Sequence, residues 1–321
     1  MVTAIDDYTH EAGAELNFNE SMYFEFHDPL SEVGGFLRLA NRPNEGRGER
    51  TVCIYLPGGG LGFGFQRPRV TTNTAMDAGG LTVDVVEAMK EVRVRFAGEI
   101  SVLADPMLMN DPKLALTNSP TASARIELRY DALAPAHEQT FESDGQSFAP
   151  NHYEQLAAVT GRIEIGERRY DVRGHGLRDH SWGPRSWQAP WFYRWLHGCA
   201  GEFGFMAAYF GEKDGSSRLG GFVFDKDGLH PCADVTISTE RDDAGFQRRI
   251  DLSMTAGQRN WRLEGRSLSS VPLRHRSADG TVGTRIVESA VQWRLHGGGE
   301  LRGMAEYLDQ LVDGEPVGTH V

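Results

Sequence analysis

The sequence predicts an all-β protein built as two antiparallel barrels or sandwiches with little helix, and three observations lead there. Short runs rich in β-branched and aromatic residues recur along the whole chain, with turn signals between them. Glycine is abundant, 38 of 321 residues, and falls between those runs rather than in a Gly-X-Y period, which excludes a collagen-like chain. No window of 15 or more residues sustains the helical 3.6 period between proper caps.

The elements follow in order. Residues 22–28 and 34–40 read as strands around the turn-like 29–33, and the polar, Pro- and Gly-containing stretch 41–48 leads to a strand at 51–56. Pro57–Gly60 is a tight connection into an extended segment at 61–66, and 80–86, 91–96 and 124–130 continue the series. In the last of these, Ile126, Leu128 and Tyr130 alternate with charged neighbours, the period-2 pattern of a half-buried strand. The stretch 104–120 carries three prolines and reads as a loop with room for one helical turn. Residues 132–150 are polar, carry two prolines and are expected to be a linker.

A second series begins with 153–165 and 168–174, flanking a turn at Gly166-Glu167. It continues through 191–199, 202–210, 218–224, 232–239, 246–255, 259–267, 284–294 and 299–308. The expected division is therefore 1–150 and 151–321, a length that suits two compact domains.

Charge narrows the functional classes. Lys and Arg total 33 against 45 Asp and Glu, a net charge of −12, which disfavours nucleic acid and anionic membrane surfaces as partners. The three cysteines are widely spaced and form no CxxC pair, so neither a disulfide framework nor a zinc ribbon is expected. The acidic N-terminus lacks an apolar signal core and no run of 18 apolar residues occurs, so the expected compartment is a reducing cytoplasm. The run PGGGLGFGF fails as a nucleotide loop because Phe63 and Phe65 stand where glycine is required and no helix follows. His152-Tyr153-Glu154 has the H-x-E form of zinc deaminases but lacks its P-C-x-x-C partner. No metal-ligand spacing occurs, and no cofactor is expected.

One segment stands out. Four of the six tryptophans, Trp182, Trp187, Trp191 and Trp195, and four of the eleven histidines, His152, His175, His180 and His197, gather between 152 and 197. If 191–199 is a strand, Trp191, Tyr193, Trp195 and His197 share a face, and a neighbouring strand adds Phe203, Phe205 and Tyr209 as an aromatic wall. Such a wall is either packed core or the lining of an apolar-ligand pocket whose ring faces stabilise a cation. Asp179, His180 and Arg185 beside it favour the pocket, because charged groups are rarely buried without partners.

Arg178-Asp179-His180-Ser181-Trp182-Gly183-Pro184-Arg185 resembles the Asp-His-x-Trp-Gly signature of the carotenoid 1,2-hydratase (hydroxyneurosporene synthase) family, which is lipocalin-related and distantly similar to tocopherol cyclase. Residues 152–161, Gly174-His175-Gly176 and Gly303–Tyr307 are similar to that family's second domain, and Asn19–Ser21 and Arg42–Gly46 to the first domain of a two-domain branch. The resemblance implies two lipocalin-like barrels packed side by side. It also implies addition of water to an isoprenoid alkene, or the reverse dehydration, without a cofactor or metal. On that reading Asp179, kept protonated in an apolar pocket, is the acid. His180 orients or reprotonates it. Tyr193 or His197 holds the water, and Trp182, Arg185, Trp187, Trp191, Trp195, Phe203 and Phe205 surround the substrate. The structural alternatives are an Asp179 that binds turn N–H groups and a Trp182 that plugs a barrel end under Arg185. If Asp179 and His180 lie on an extended strand, they point to opposite faces.

The expected function is thus a cofactor-free hydratase, dehydratase, isomerase or cyclase for an apolar, isoprenoid-like small molecule. The competing readings are a lipocalin-like carrier of the same ligand and a scaffold of two filled barrels. The sequence leaves the oligomeric state open.

Overall fold

The computed structural model describes residues 2–139, 141–143, 146–277 and 280–321. Strands dominate, and the chain divides into two compact units. The first holds the residues up to Asp105, then Lys113–Glu142 and Ser147–Ser186; the second is chiefly Trp187–Val321 with Pro106–Pro112.

The first unit contains β1 (Phe18–Asp28), β2 (Val33–Arg42), β3 (Arg47–Tyr55), β4 (Leu61–Gln66), β5 (Met76–Ala78), β6 (Leu81–Glu87), β7 (Glu91–Leu103), β8 (Thr121–Ala132) and β9 (His137–Glu138). Two short strands, β10 (Phe141–Ser143) and β11 (Gln146–Ala149), pair with each other before the long β12 (Asn151–Ile165) and β13 (Arg168–Pro184). The sheet runs β4-β3-β2-β1-β13-β12-β8-β7, and Leu61–Phe63 of β4 pair back onto 101–103 of β7. Eight antiparallel strands therefore close into a barrel, and β6 and β5 continue the sheet beyond β7.

Side-chain alternation fills this barrel. Met22, Phe24 and Phe26 of β1, Leu37 and Leu39 of β2, Val52 and Ile54 of β3, and Ile126, Leu128 and Tyr130 of β8 belong to one buried cluster. On β8 the intervening Arg125, Glu127 and Arg129 are exposed, as the alternation predicts. β1 departs from this pattern, because all eleven of its residues are buried on both faces. On the face turned away from the barrel core, its buried positions include Glu25, His27 and Tyr23.

Glycine makes the β1–β13 approach possible. A Cβ on Gly174 would lie 2.0 Å from the His27 carbonyl oxygen, and one on Gly176 would lie 1.9 Å from that of Glu25. The two-residue turn between β12 and β13 begins at Gly166, whose φ of 58° suits glycine.

The second unit contains β14 (Phe192–Ala200), β15 (Phe203–Gly211), β16 (Ser217–Asp225), β17 (Gly228–Cys232), β18 (Asp234–Arg241), β19 (Gln247–Ala256), β20 (Arg259–Arg276), β21 (Gly283–Leu295), β22 (Glu300–Val312) and β23 (Glu315–Pro316). Its antiparallel order is β17-β16-β15-β14-β22-β21-β20-β19-β18, with β23 added on β22. Only Ala233 separates β17 from β18, so the chain passes directly from one edge of this curled sheet to the other. Its core centres on Trp293, fully buried with its indole N–H donating to the His197 carbonyl oxygen at 3.0 Å. Gly198 and Gly265 leave room for that ring, which meets Phe205 edge-on at 5.2 Å. Burying side chains of this size is worth roughly 1.5–3 kcal/mol each.

Two expectations change. The division at 150 does not hold, because β12 pairs with β8 and β13 pairs with β1, so 151–184 complete the first barrel. The segment 132–150 carries β9 and the β10–β11 pair, while Thr140, Asp144 and Gly145 of the expected linker lie outside the described residues. The loop at 104–120 holds a 3-10 turn, Pro106–Asn110, and a short α-helix, Pro112–Asn118. Among the described residues no helix is long and apolar enough to cross a membrane. Cys53, Cys199 and Cys232 are buried and form no disulfide.

Candidate functional site

Ionisable groups concentrate on the two faces of β12 and β13. The strands pair without a register break from the turn at Gly166 to Asn151, which places Tyr153 opposite His180, Glu154 opposite Asp179 and His152 opposite Ser181. β13 is extended through the whole Asp-His-x-Trp-Gly segment. Asp179 and His180 therefore point to opposite faces, and neither occupies a turn.

On the face away from the barrel core, Asp179 meets His152. The ring Nε2 of His152 is hydrogen-bonded to Asp179 Oδ2 and lies 3.6 Å from Glu154 Oε1, while its Nδ1 lies 2.9 Å from the Gln139 carbonyl oxygen. That carbonyl can only accept, so Nδ1 carries a proton and Nε2 is left for the carboxylates. Burial pushes the His152 pKa down, but the charge and hydrogen bond of Asp179, with Glu154 behind it, outweigh burial and hold it above the ordinary value of 6.5. Burial, with the charge of His152, pushes the nearby His137 in the other direction. Along the same row, Tyr23 of β1 lies opposite Asp179 and Arg38 of β2 lies opposite Tyr23. Arg38 pairs with Glu49 at 3.3 Å, and Glu25 is hydrogen-bonded to His27.

The core-facing side carries a second network. Glu20 Oε1 lies 2.6 Å from His180 Nε2 and 2.9 Å from His10 Nδ1, and Glu20 Oε2 accepts from the His10 backbone N–H and from Asn73. Burial raises the Glu20 pKa, but His10 and His180 outweigh burial and hold the carboxyl at about 2. The Tyr153 hydroxyl donates to Asp7 at 2.6 Å and lies 3.3 Å from His180 Nδ1. Asp7 also accepts from Arg178 and from the backbone N–H of Met89, whose φ of 62° is unusual for a side-chain-bearing residue. Gln155 accepts from Arg178 at 2.8 Å and donates to the Met89 carbonyl oxygen at 3.0 Å. This network pins the N-terminal segment and the β6–β7 turn to one end of the barrel.

Trp182 stacks on His10, with ring centroids 3.8 Å apart and planes 7° from parallel. Arg185 lies over Phe148 at 4.3 Å and donates to Ser181.

The other expected site residues belong to the second unit, where strand register divides the aromatic wall. Tyr193 pairs with Phe210, Trp195 with Ala208 and His197 with Met206, on the face away from the core. Phe203 and Phe205 stand opposite Ala200 and Gly198 on the core-facing side and pack into or against the buried cluster. Tyr209, opposite Arg194, joins the core-facing side too. Tyr193 donates to Glu306, which lies directly opposite Glu288 on β21, and the Trp195 and His197 rings sit 4.8 Å apart. Trp187 stacks on His275 at 4.5 Å, and the Lys213 ammonium lies over Trp191 at 5.5 Å.

Among the described residues, two groups have donors close enough to share a metal ion: His10, Glu20 and His180, and His152, Glu154 and Asp179. Sequence reasoning noted His152 near the motif but missed Glu154 as a neighbour of Asp179. Counting back from the turn at Gly166-Glu167 would have placed them opposite. Nothing in the sequence links His10 or Glu20 to His180, since those contacts span 170 and 160 residues.

A family model for a domain of unknown function, DUF7064, matches residues 3–311. No curated protein matches in sequence. Among solved structures, an AttH-like protein of Nitrosomonas europaea is similar with a TM-score of 0.60 and 15% identity, covering 92% of this chain and 94% of its own. CghA is similar with a TM-score of 0.58 and 13% identity, over 93% and 90% of the two chains. Kievitone hydratase of Nectria haematococca has a TM-score of 0.52 and 11% identity, over 96% and 93%. At these identities the likeness establishes the lipocalin-like β fold.

Proposed function

We propose that this chain, which belongs to the DUF7064 family, is a hydratase or dehydratase acting on a C=C bond of an apolar, isoprenoid-like small molecule through acid–base chemistry. The observation that carries this reading is the hydrogen bond between buried His152 and partly buried Asp179, with Glu154 beside it. The pair holds one shareable proton. With that proton on Asp179, the carboxyl can protonate the alkene carbon while neutral Nε2 of His152 takes a proton from the attacking water. The C–O bond forms, the alkene π bond is lost, and the pair regains the proton it gave. Dehydration runs through the same atoms in reverse: the imidazolium protonates the departing hydroxyl and the carboxylate removes the neighbouring C–H proton.

The motif's resemblance to the carotenoid 1,2-hydratases and the hydratase among the proteins of like fold support the reaction class. In this reading His152 takes the water-handling role expected of Tyr193 or His197. Incubation of the protein with isoprenoid alkenes and tertiary alcohols in deuterated water tests it. Deuterium on the carbon next to the one that gains the hydroxyl is the expected outcome. Binding across the panel with no incorporation sinks the enzyme reading and favours a carrier.

A further inference from the structure

We infer that His10, Glu20 and His180 form a binding site for one divalent transition-metal ion, which clips the N-terminal segment to the first barrel. The three residues come from the segment before β1, from β1 and from β13, yet their donor atoms all lie within 4.8 Å of one another. Both imidazole nitrogens converge on the same oxygen, Glu20 Oε1, at 2.9 Å for His10 Nδ1 and 2.6 Å for His180 Nε2.

The far side of each ring prepares it for a metal. His10 Nε2 faces Asp6 Oδ1 at 3.5 Å, and His180 Nδ1 faces the Tyr153 hydroxyl oxygen at 3.3 Å, with that phenol donating its own proton to Asp7. An acceptor at the remote nitrogen holds the ring proton there and turns the other nitrogen's lone pair toward the site, which is how metal-bound histidines are usually oriented. Stacking on Trp182 further fixes the His10 ring. Two imidazole nitrogens and one carboxylate oxygen suit zinc or iron(II), not the all-oxygen shells of calcium or magnesium. Glu20 is fully buried and the His180 side chain is 3% exposed, while His10 is 20% exposed and gives an ion a way in. The group around His152 is the weaker candidate, with one imidazole against two.

The test uses full-length protein stripped with a chelator and titrated with zinc or cobalt(II). One ion per chain, a raised thermal midpoint and visible cobalt bands of a nitrogen-ligated ion are expected. His10→Ala, on a segment outside every strand, is expected to weaken zinc binding by at least ~10-fold and to remove the cobalt bands. Zinc X-ray absorption on the unmutated protein gives an independent readout and is expected to show two imidazoles. Absence of stoichiometric binding, affinity unchanged in His10→Ala, or a zinc shell without imidazole overturns the site, and marks the cluster as a hydrogen-bonded network only. None of these outcomes bears on the His152–Asp179 pair, which lies on the opposite face of the strands.

Discussion

His152 and Asp179 meet diagonally across β12 and β13, and their hydrogen bond joins a histidine held above its ordinary pKa to the first residue of the Asp-His-x-Trp-Gly motif. Asp179→Asn keeps the shape of the side chain but cannot carry the shared proton. Turnover measured by deuterium incorporation is expected to fall by roughly 10²–10⁴-fold, the range of general acid–base catalysis, while ligand binding changes little. An equal loss of binding and turnover would instead mark Asp179 as a packing residue.

The raised His152 pKa makes a separate claim about stability. Its protonated form is favoured by folding, so the contribution is fully present below the ordinary value of 6.5 and is lost as pH rises through the higher folded value. The thermal midpoint of the first barrel is expected to decline across that window. Asp179→Asn removes the main cause of the shift, so its midpoint is expected to vary less with pH over the same range. Matched melting curves of the two proteins across neutral to alkaline buffers check this.

Asp7 is the anionic partner of Arg178, and both are buried. Asp7→Ala leaves a buried guanidinium without that charge and is expected to cost about 3–5 kcal/mol in urea unfolding. Replacing both residues with apolar side chains of similar volume is expected to cost much less, because no uncompensated charge remains. The contribution of Asp7 is present above its ordinary pKa of 3.8 and is lost as pH falls through its lowered folded value.

Gly176→Ala sets a Cβ 1.9 Å from the backbone oxygen of Glu25, where no side-chain rotation relieves the clash. A loss of about 1–3 kcal/mol or more in unfolding free energy is expected as β1 and β13 are forced apart. Gly299→Ala is the matched control, since nothing lies within 4 Å of its added carbon, and it is expected to stay within about 0.5 kcal/mol of the parent.

Much of the local structure was legible in the residues themselves. The alternation of Ile126, Leu128 and Tyr130 with charged neighbours foretold which side of β8 fills the barrel. The same arithmetic misled at 191–210. Same-strand alternation grouped Phe203 and Phe205 with Tyr193 and His197, but inter-strand register put them on opposite faces of the sheet. Periodicity states which residues of one strand share a face, and it is silent on how a neighbouring strand is aligned.

The all-β class, many of the strands and the segment in which ionisable and aromatic groups gather follow from the residues alone, because these depend on local propensity and a period of two. Tertiary structure decided the rest. Pairing of β13 with β1 moved the motif into the first barrel and brought Glu20 to His180, and hydrogen bonds to Glu20 hold His10 beside them. The contact of Glu20 with His180 is made by long-range strand pairing, whose partners are selected by burial and closure of the whole sheet rather than by any short stretch of chain.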